Sequence, residues 1–222
     1  MQSLQLIVKC ALLLMNTDSI ISRFTDALAQ RAPEYGLELM PEQTAQLAAF
    51  YEHLLKWNDQ LHLVAPCEPE EFAARHVLES LCALPYIPHR ASVADIGSGG
   101  GLPIVPILIM RPDINATLIE SSAKKYIYLH ETAVKILPDS FTRIITFRFE
   151  HAVTPPMNII TCRALDRFSE KLPLLYNWAN QGCTFLLFAG PDVREALEKL
   201  GVDYEEKLLP NSEQRFLFTV KK

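Results

Sequence analysis

The sequence has no closely spaced pair of cysteines. Its five cysteines are odd in number and widely scattered, at Cys10, Cys67, Cys82, Cys162 and Cys183. Zinc sites and dithiol redox centres use CxxC pairs, so both classes are disfavoured and we expect no metal site. Unpaired thiols are typical of a reducing compartment, and the predicted location is therefore the cytoplasm.

Positive charge is also scarce. The 21 Lys and Arg residues are outnumbered by 26 Asp and Glu residues, which gives a net charge of −5 at pH 7. Proteins that coat nucleic acid non-specifically obtain most of their affinity from Lys and Arg side chains that neutralise phosphates. The composition argues against that class, and any contact with a nucleic acid must come from a local basic patch.

No apolar run is long enough to cross a membrane. The N-terminal stretch Leu4 to Met15 is interrupted by Lys9 and is shorter than the roughly 20 helical residues that a bilayer requires. Ala27-Leu28-Ala29 has the small residues of a signal-peptide cleavage site, but charged residues separate it from the apolar stretch. We expect residues 1–16 to form a helical or loose extension, and we expect no membrane partner.

Two patterns divide the remaining chain. Between Thr17 and Leu84, apolar residues recur at spacings of three and four, which predicts three helices, one over Pro41 to Trp57 and one from Pro69. Further along, short apolar runs alternate with amphipathic stretches, as is typical of parallel strands joined by helices. These patterns predict a helical cap over residues 17–90 and an α/β domain over residues 91–222.

The α/β part is predicted to form a Rossmann-like sheet of seven strands. Five strands are predicted at Ser92–Ile96, Ala116–Glu120, Arg143–Phe147, Met157–Cys162 and Cys183–Phe188, with helices at Leu102–Met110, Ala123–Leu137 and Arg167–Asn180. Two further extended stretches lie between Val202 and Val220, on either side of Pro210-Asn211. Because no helix separates them, the last strand should turn back antiparallel.

Half of the glycine residues lie in one short segment. Four of the eight glycines lie between Gly97 and Gly101, directly after a predicted strand and before a predicted helix. Glycine tolerates positive φ and lets a ligand approach the main chain. A dinucleotide loop needs glycine where Leu102 stands, and a P-loop needs a Lys-Ser or Lys-Thr ending, which is absent. The GxGxG spacing favours a cofactor without a pyrophosphate.

An acidic residue ends the second predicted strand. Glu120 follows Gly97 by 23 positions. A carboxylate at that place can accept hydrogen bonds from two ribose hydroxyls. This geometry suits both S-adenosylmethionine and NAD, and the glycine spacing favours the first.

An ordered set of short motifs resembles one family. The motifs are Lys56-Trp57-Asn58, Arg75-His76-Val77-Leu78-Glu79-Ser80, the glycine loop with Leu102-Pro103, Arg111-Pro112, Glu120-Ser121, Lys124-Lys125, Arg148-Phe149-Glu150, Arg163-Ala164 and Arg215-Phe216-Leu217. From about Leu54 to Val220 the chain resembles the guanine-N7 methyltransferases of small-subunit (16S) ribosomal RNA, also called glucose-inhibited division protein B. The resemblance implies a class I methyltransferase sheet and S-adenosylmethionine as cofactor. It also implies 16S ribosomal RNA as the substrate, free or in the 30S particle. We expect the protein to be a monomer.

The resemblance also assigns residues to roles. The cofactor would be bound by Gly97, Gly99, Gly101, Leu102, Glu120, Ser121, Phe149, Glu150 and Arg163. Arg163 would lie beside the methyl group and the incoming base as a positioning residue, with no general base. The RNA would be bound by Arg75, His76, Lys124, Lys125, Arg148 and Arg215. A lone histidine such as His76 is more often structural than catalytic.

The chain departs from the family pattern at Ile104, Ala123, Asn158, Cys162 and Ala189. Ala189 stands where the family has lysine, which removes a positive charge near the expected RNA face. This departure affects substrate binding more than cofactor binding.

Other substrates stay open as alternatives. Thr161-Cys162 is similar to the Thr-Cys pair of cytosine-C5 RNA methyltransferases, and Pro66-Cys67 supplies a second such cysteine. A small-molecule methyltransferase would use the same cofactor loop. Methylation of adenine N6 is disfavoured, because Thr161 to Ala164 lack the Pro-Pro motif that binds an exocyclic amine. An RNA-binding module without activity is disfavoured by the acidic balance and the lack of an aromatic stacking motif.

Overall fold

Helices make up the N-terminal part of the chain. The computed structural model describes the backbone of residues 2–163 and 167–222 and the side chains of residues 17–163 and 167–222. The helices are α1 (Gln2–Arg31), α2 (Pro41–Leu61), α3 (Pro69–Glu71) and α4 (Glu79–Leu81), with a π-helical segment over Phe72–Leu78 that joins the last two and short 3-10 turns at Ala32–Tyr35 and Leu84–Tyr86. No helix within the described ranges has both the length and the apolar character to span a membrane.

These helices agree with the predicted cap, with two differences in their bounds. The helix that was expected to end at Trp57 continues to Leu61. Helix α1 begins at Gln2, so the predicted boundary after residue 16 falls inside one continuous helix. The helix from Pro69 is present, and its middle part has the wider π-helical turns that often occur at functional sites.

Strands and helices alternate through the rest of the chain. They are β1 (Ser92–Ile96), α5 (Ile104–Met110), β2 (Asn115–Ile119), α6 (Ala123–Ile136), β3 (Phe141–Ile145), β4 (Ile159–Arg163), α7 (Phe168–Trp178), β5 (Thr184–Ala189), α8 (Asp192–Leu200), β6 (Tyr204–Leu208) and β7 (Phe216–Lys221), with a 3-10 turn at Phe149–His151. The first five strands lie within two residues of their predicted bounds. Helix α8 was not predicted, although Val193, Ala196 and Leu197 give it a buried face and Gly201 ends it in the left-handed conformation.

The seven strands form one sheet in the order β3-β2-β1-β4-β5-β7-β6. The first five strands in chain order are parallel, whereas β7 pairs antiparallel with both β5 and β6. The predicted Rossmann-like sheet with an antiparallel last strand is thereby confirmed. The strand order reverses at β1 and β4, and open α/β sheets bind ligands at the carboxyl ends of the strands beside such a point.

One hydrophobic core joins the cap to a face of the sheet. Phe50 of α2 and Phe72 of the π-helical segment belong to the same buried cluster as Ile104 of α5, Leu118 of β2 and Tyr128 of α6. A second cluster fills the opposite face beneath α7 and α8. Burial of apolar surface is the main stabilising force in folding, so the cap is held to the sheet by the same force that holds the sheet together.

Candidate active site

The glycine loop follows β1 directly and is shaped by left-handed residues. Gly97, Gly99 and Gly101 have φ angles of 70°, 48° and 80°, which residues with a side chain rarely adopt. The amides of Gly97 and Ser98 donate to the carbonyl of Ile119 at 2.8 and 3.3 Å. These bonds fix the loop against the end of β2.

Two of these glycines are also required for space. A Cβ atom on Gly101 would lie 2.7 Å from Cγ2 of Val105, and one on Gly100 would lie 3.3 Å from Cβ of Leu63. The hydroxyl of Tyr128 donates to the Gly100 carbonyl at 3.1 Å. The loop is therefore packed against α5, α6 and the cap, with no room for a side chain at Gly101 and little room for one at Gly100.

The carboxylate of Glu120 lies beside this loop, just after β2. The residue is 7% exposed. One carboxylate oxygen accepts the Gly99 amide at 3.0 Å, and the other accepts the Ser122 amide at 2.8 Å. A carboxylate has about four acceptor positions, so both oxygens can accept a further hydrogen bond from a ligand.

Two cavities share Gly97, the first residue of the glycine loop. The first, of about 110 Å³, is lined by Ile96, Gly97, Ile119, Glu120, Ser121, Phe147, Arg148, Phe149, Glu150 and Lys171. The second, of about 290 Å³, is lined by Leu63, Val64, Ala65, His76, Gly97, Ser98, Gly99, Gly100, Leu102, Lys125 and Arg163. Together they form a cleft at the carboxyl ends of β1, β2 and β4, which is the expected ligand position in such a sheet.

Two other cavities are larger, at about 440 and 310 Å³. Neither is lined by a glycine-loop residue, and the larger lies where β6 begins and β7 ends, around Tyr204 and Lys221. Volume alone does not identify a binding site. The uncovered main chain and the convergent polar groups favour the cleft at the glycine loop.

Arg163 ends β4 and reaches into the second cavity, with 14% of its side chain exposed. Its Nη2 donates to the carbonyl of Arg75 at 2.6 Å and to a carboxylate oxygen of Glu79 at 3.3 Å. Its Nη1 is buried and has no hydrogen-bond partner in the described part of the chain. Burial lowers the pKa of Arg163, and the Glu79 carboxylate opposes this shift.

His76 lines the same cavity and is a weak base there. Burial, and the positive charges of Arg163, Arg75 and Arg215, lower the pKa of His76 to about 3. The imidazole is therefore neutral at pH 7, and its Nδ1 is buried with no hydrogen-bond partner among the described residues. Its ring lies 5.1 Å from that of Phe72, as expected of a structural histidine.

Comparison with known proteins identifies the family. The model of the family GidB, described as rRNA small subunit methyltransferase G, matches residues 43–214. The chain belongs to this family. It is 31% identical over 191 residues to the Ribosomal RNA small subunit methyltransferase G of Ectopseudomonas mendocina, covering 84% of this chain and 87% of that protein. A protein of the same name from Desulforamulus reducens is 41% identical over 114 residues, covering 50% of this chain and 48% of that protein.

Solved structures show the same fold at low sequence identity. Magnesium protoporphyrin IX methyltransferase from Synechocystis PCC 6803 with bound SAM has a TM-score of 0.51 and 14% identity, covering 94% of this chain and 96% of that chain. A ribosomal protein L11 methylase from Lactobacillus delbrueckii subsp. bulgaricus has a TM-score of 0.55 and 12% identity, covering 67% and 79%. The fold of this rRNA small subunit methyltransferase G family member is thus a methyltransferase fold.

Eight of the nine residues predicted to bind the cofactor line the cleft. Gly97 lines both cavities, Gly99, Leu102 and Arg163 line the second, and Glu120, Ser121, Phe149 and Glu150 line the first. The exception is Gly101, which lines neither cavity and whose small size is required by Val105.

The residues predicted to bind RNA are more dispersed. His76 and Lys125 line the second cavity, whereas Arg148 lines the first, on the side expected for the cofactor. Lys124 is exposed and lines neither cavity. Arg75 is exposed and pairs with Glu71, and Arg215 donates to the buried Glu79. Ala164, which follows Arg163 in its motif, lies outside the described residues.

Three polar residues of this site were not predicted. Asn58 donates to the carbonyl of Val64 at 3.1 Å and accepts its amide at 3.0 Å, which fixes the segment that lines the second cavity. Asp95 accepts from the Thr161 hydroxyl at 2.6 Å, and its other oxygen has no partner among the described residues. Glu79 binds two arginines. Each of the three could have been singled out from the sequence. Asn58 and Glu79 lie in motifs shared with the family, and Asp95 is a charged residue within an apolar strand.

None of the cysteines whose side chains the structure describes lines the cleft. Cys162 is 0% exposed, and neither Cys162 nor Cys67 lines either cavity. Burial raises the pKa of the Cys67 thiol, which disfavours the reactive thiolate. The described residues contain no group of three or more His, Cys, Asp or Glu that could hold a metal ion. A mechanism through thiol attack on cytosine therefore has no support in this geometry.

Proposed function

We propose that this chain transfers the methyl group of S-adenosylmethionine to N7 of a guanine in small-subunit (16S) ribosomal RNA. Membership of the rRNA small subunit methyltransferase G family supports an rRNA substrate, and the motif resemblance supports guanine N7. One observation carries the cofactor assignment. The Glu120 carboxylate lines the first cavity next to the glycine loop, is held by the Gly99 and Ser122 amides, and can still accept hydrogen bonds from two hydroxyl groups.

The residues of the cleft fit this cofactor. Glu120 would accept hydrogen bonds from the ribose hydroxyls, and the buried ring of Phe149 would contact the adenine in the first cavity. The methionine part would occupy the second cavity, against Leu102 and the uncovered main chain of the loop. When bound, S-adenosylmethionine supplies an electrophilic methyl group on its sulfonium.

The proposed acceptor requires no general base. Guanine N7 carries a lone pair and no hydrogen, so the protein need only align N7 with the methyl carbon, an effect that can lower the barrier by several kcal/mol. The neutral His76 agrees with this requirement. An arginine bound to both O6 and N7 would block the nucleophile, so Arg163 would contact O6, a phosphate or the methionine carboxylate.

We further propose how the chain meets its substrate. Residues 17–90 would act as a cap that contributes Arg75 and His76 to RNA binding, and residues 91–222 would bind the cofactor. The enzyme would act as a monomer, since residues of one chain line both cavities. A cytoplasmic location is supported by the free thiols of Cys67, Cys82 and Cys183. The RNA could be recognised free or in the assembled 30S particle.

A methyl-transfer assay tests the proposal. Purified protein and labelled S-adenosylmethionine are incubated with small-subunit ribosomal RNA, with 30S particles and with a metabolite extract, and N7-methylguanine is mapped by chemical cleavage. The control is an RNA transcript with 7-deazaguanine, which has carbon in place of N7. We expect label in ordinary RNA and none in the control. Label in a cytosine, in the 7-deaza transcript or only in metabolites would contradict the proposal.

A further inference from the structure

A buried carboxylate of the cap contacts two arginines at the edge of the cleft. Glu79 in α4 is 0% exposed. One of its oxygens accepts from Nη2 of Arg163 at 3.3 Å. The other accepts from Nε of Arg215 at 2.9 Å and lies 2.8 Å from Nη2 of the same guanidinium in an ion pair. Arg163 ends β4 and Arg215 precedes β7, so Glu79 connects the cap to the two strands that lie on either side of β5.

This carboxylate compensates a local excess of positive charge. The charges of Arg215 and Arg75 disfavour the charged form of Arg163, whereas Glu79 favours it. In the described part of the chain, Glu79 is the one side chain that accepts a hydrogen bond from Arg163. Without it, two guanidinium groups would lie near each other with no counter-charge, and both would be expected to move towards solvent.

The hydrogen bonds of Arg163 also leave one part of its guanidinium available. Nη2 is used by Glu79 and by the Arg75 carbonyl, both in the cap. Nη1 has no partner among the described residues, and the side chain lines the second cavity. The cap thus holds one end of the guanidinium, whereas Nη1 keeps an unused hydrogen-bond capacity on a side chain that lines the second cavity.

We propose that Glu79 is a positioning residue that holds the guanidinium of Arg163 beside the second cavity, where Nη1 can bind the cofactor or the incoming base. This inference rests on the proposed function, which gives Arg163 its role in methyl transfer. A purely structural Glu79 would stabilise the contact between cap and sheet and have no separate effect on turnover.

Substitution of Glu79 separates these two roles. Glu79→Gln keeps the shape of the side chain and removes its charge. We expect kcat on ribosomal RNA, corrected for the folded fraction, to fall about 10- to 100-fold, as for a misplaced catalytic contact. Glu79→Asp keeps the charge and should retain more activity than Glu79→Gln. Equal kcat for wild type and Glu79→Gln would overturn the inference.

A double-mutant cycle tests whether Glu79 acts through Arg163. In an Arg163→Lys background, Glu79→Gln should lower kcat by less than about threefold further, because coupled residues are not additive. If the decrease in kcat of the double variant equals the product of the decreases in the two single variants, the residues act independently and the inference is overturned. If Glu79→Gln does not fold, the same cycle is measured with Glu79→Asp.

A second carboxylate provides a matched control. Asp113 accepts hydrogen bonds from the Arg111 guanidinium at 2.7 and 2.9 Å, near the start of β2 at the opposite end of the sheet. Asp113→Asn should lower the melting temperature and leave kcat unchanged. An equal loss of kcat in Asp113→Asn would show that any broken ion pair lowers turnover, which contradicts a positioning role. A wild-type enzyme inactive on ribosomal RNA would instead refute the proposed function.

Discussion

At the scale of single residues, the assignment of S-adenosylmethionine as cofactor depends mainly on Glu120, which is expected to bind the ribose hydroxyls. Glu120→Gln keeps the size of the side chain but removes the charge that strengthens hydrogen bonds from ribose hydroxyls. Hydrogen bonds to charged groups contribute about 1.5–3 kcal/mol, so we expect the Kd for S-adenosylmethionine to rise about 10- to 100-fold. Isothermal titration calorimetry measures this change. Glu198→Gln on the exposed face of α8 is the control, and unchanged affinity in Glu120→Gln would contradict the assignment.

The buried carboxyl group of Asp95 should make the stability of the protein depend on pH. Burial raises the pKa of Asp95 from its usual 3.8 to about 7, and the nearby Glu120 also raises it. Between about pH 4 and pH 7 the folded state therefore binds more protons than the unfolded state, so this group lowers the free energy of unfolding as the pH rises. Asp95→Asn cannot ionise, and its stability relative to wild type should increase with pH through this window.

Urea denaturation of both proteins between pH 4 and pH 8 measures this effect. The difference in free energy of unfolding removes the contributions of titrating groups that do not interact with Asp95, including His76. A difference that stays constant from pH 4 to pH 7 would show that Asp95 is not perturbed in the folded state.

At the scale of elements, the glycine loop gives a prediction with a matched control. Gly101 and Gly182 both have φ of 80°, but a Cβ on Gly101 would meet Val105 at 2.7 Å, whereas one on Gly182 would meet nothing within 4 Å. Gly182→Ala should cost about 1–2 kcal/mol through the left-handed conformation alone. Gly101→Ala should cost about 2–5 kcal/mol, because overpacking is added, and should also weaken cofactor binding.

Chemical denaturation and calorimetry test this pair. Gly182→Ala should bind S-adenosylmethionine normally, because Gly182 lies between α7 and β5, outside the glycine loop that lines the cleft. Equal losses of stability in the two variants, or normal cofactor binding by Gly101→Ala, would argue against a loop that packs closely on α5.

The elements also show which features a sequence can reveal. Strand β1 and the glycine loop are contiguous, and their composition alone predicts a strand that ends at a ligand-binding turn. Helix α8 was missed although Val193, Ala196 and Leu197 have helical spacing, because most of its other residues are charged and its apolar face is narrow. The role of Glu79 could not be predicted, because its partners Arg163 and Arg215 are 84 and 136 residues away in the chain. Only the folded sheet brings these charges together.

At the scale of the whole molecule, the net charge of −5 means that the surface as a whole does not attract RNA. RNA binding must therefore depend on a small number of Lys and Arg side chains. Lys124 lies in the first turn of α6, is exposed, and lines neither cavity of the cleft. If it contacts a phosphate, Lys124→Gln should weaken ribosomal RNA binding and reduce the slope of log affinity against log salt by about 1. The affinity for S-adenosylmethionine should not change.

RNA binding at several salt concentrations measures this slope. Lys199→Gln is the control, since Lys199 is 73% exposed on α8 and pairs with Glu195 away from the cleft. An unchanged slope in Lys124→Gln, or an equal change in Lys199→Gln, would place the RNA on another surface.

A crystal structure with the demethylated product, S-adenosylhomocysteine, tests the central claim most directly. We expect both ribose hydroxyls within hydrogen-bond distance of the Glu120 carboxylate. The adenine should contact Phe149, and the homocysteine part should lie along the main chain between Gly97 and Leu102. Product bound in another cavity, or a cleft that stays empty at saturating product, would contradict the account.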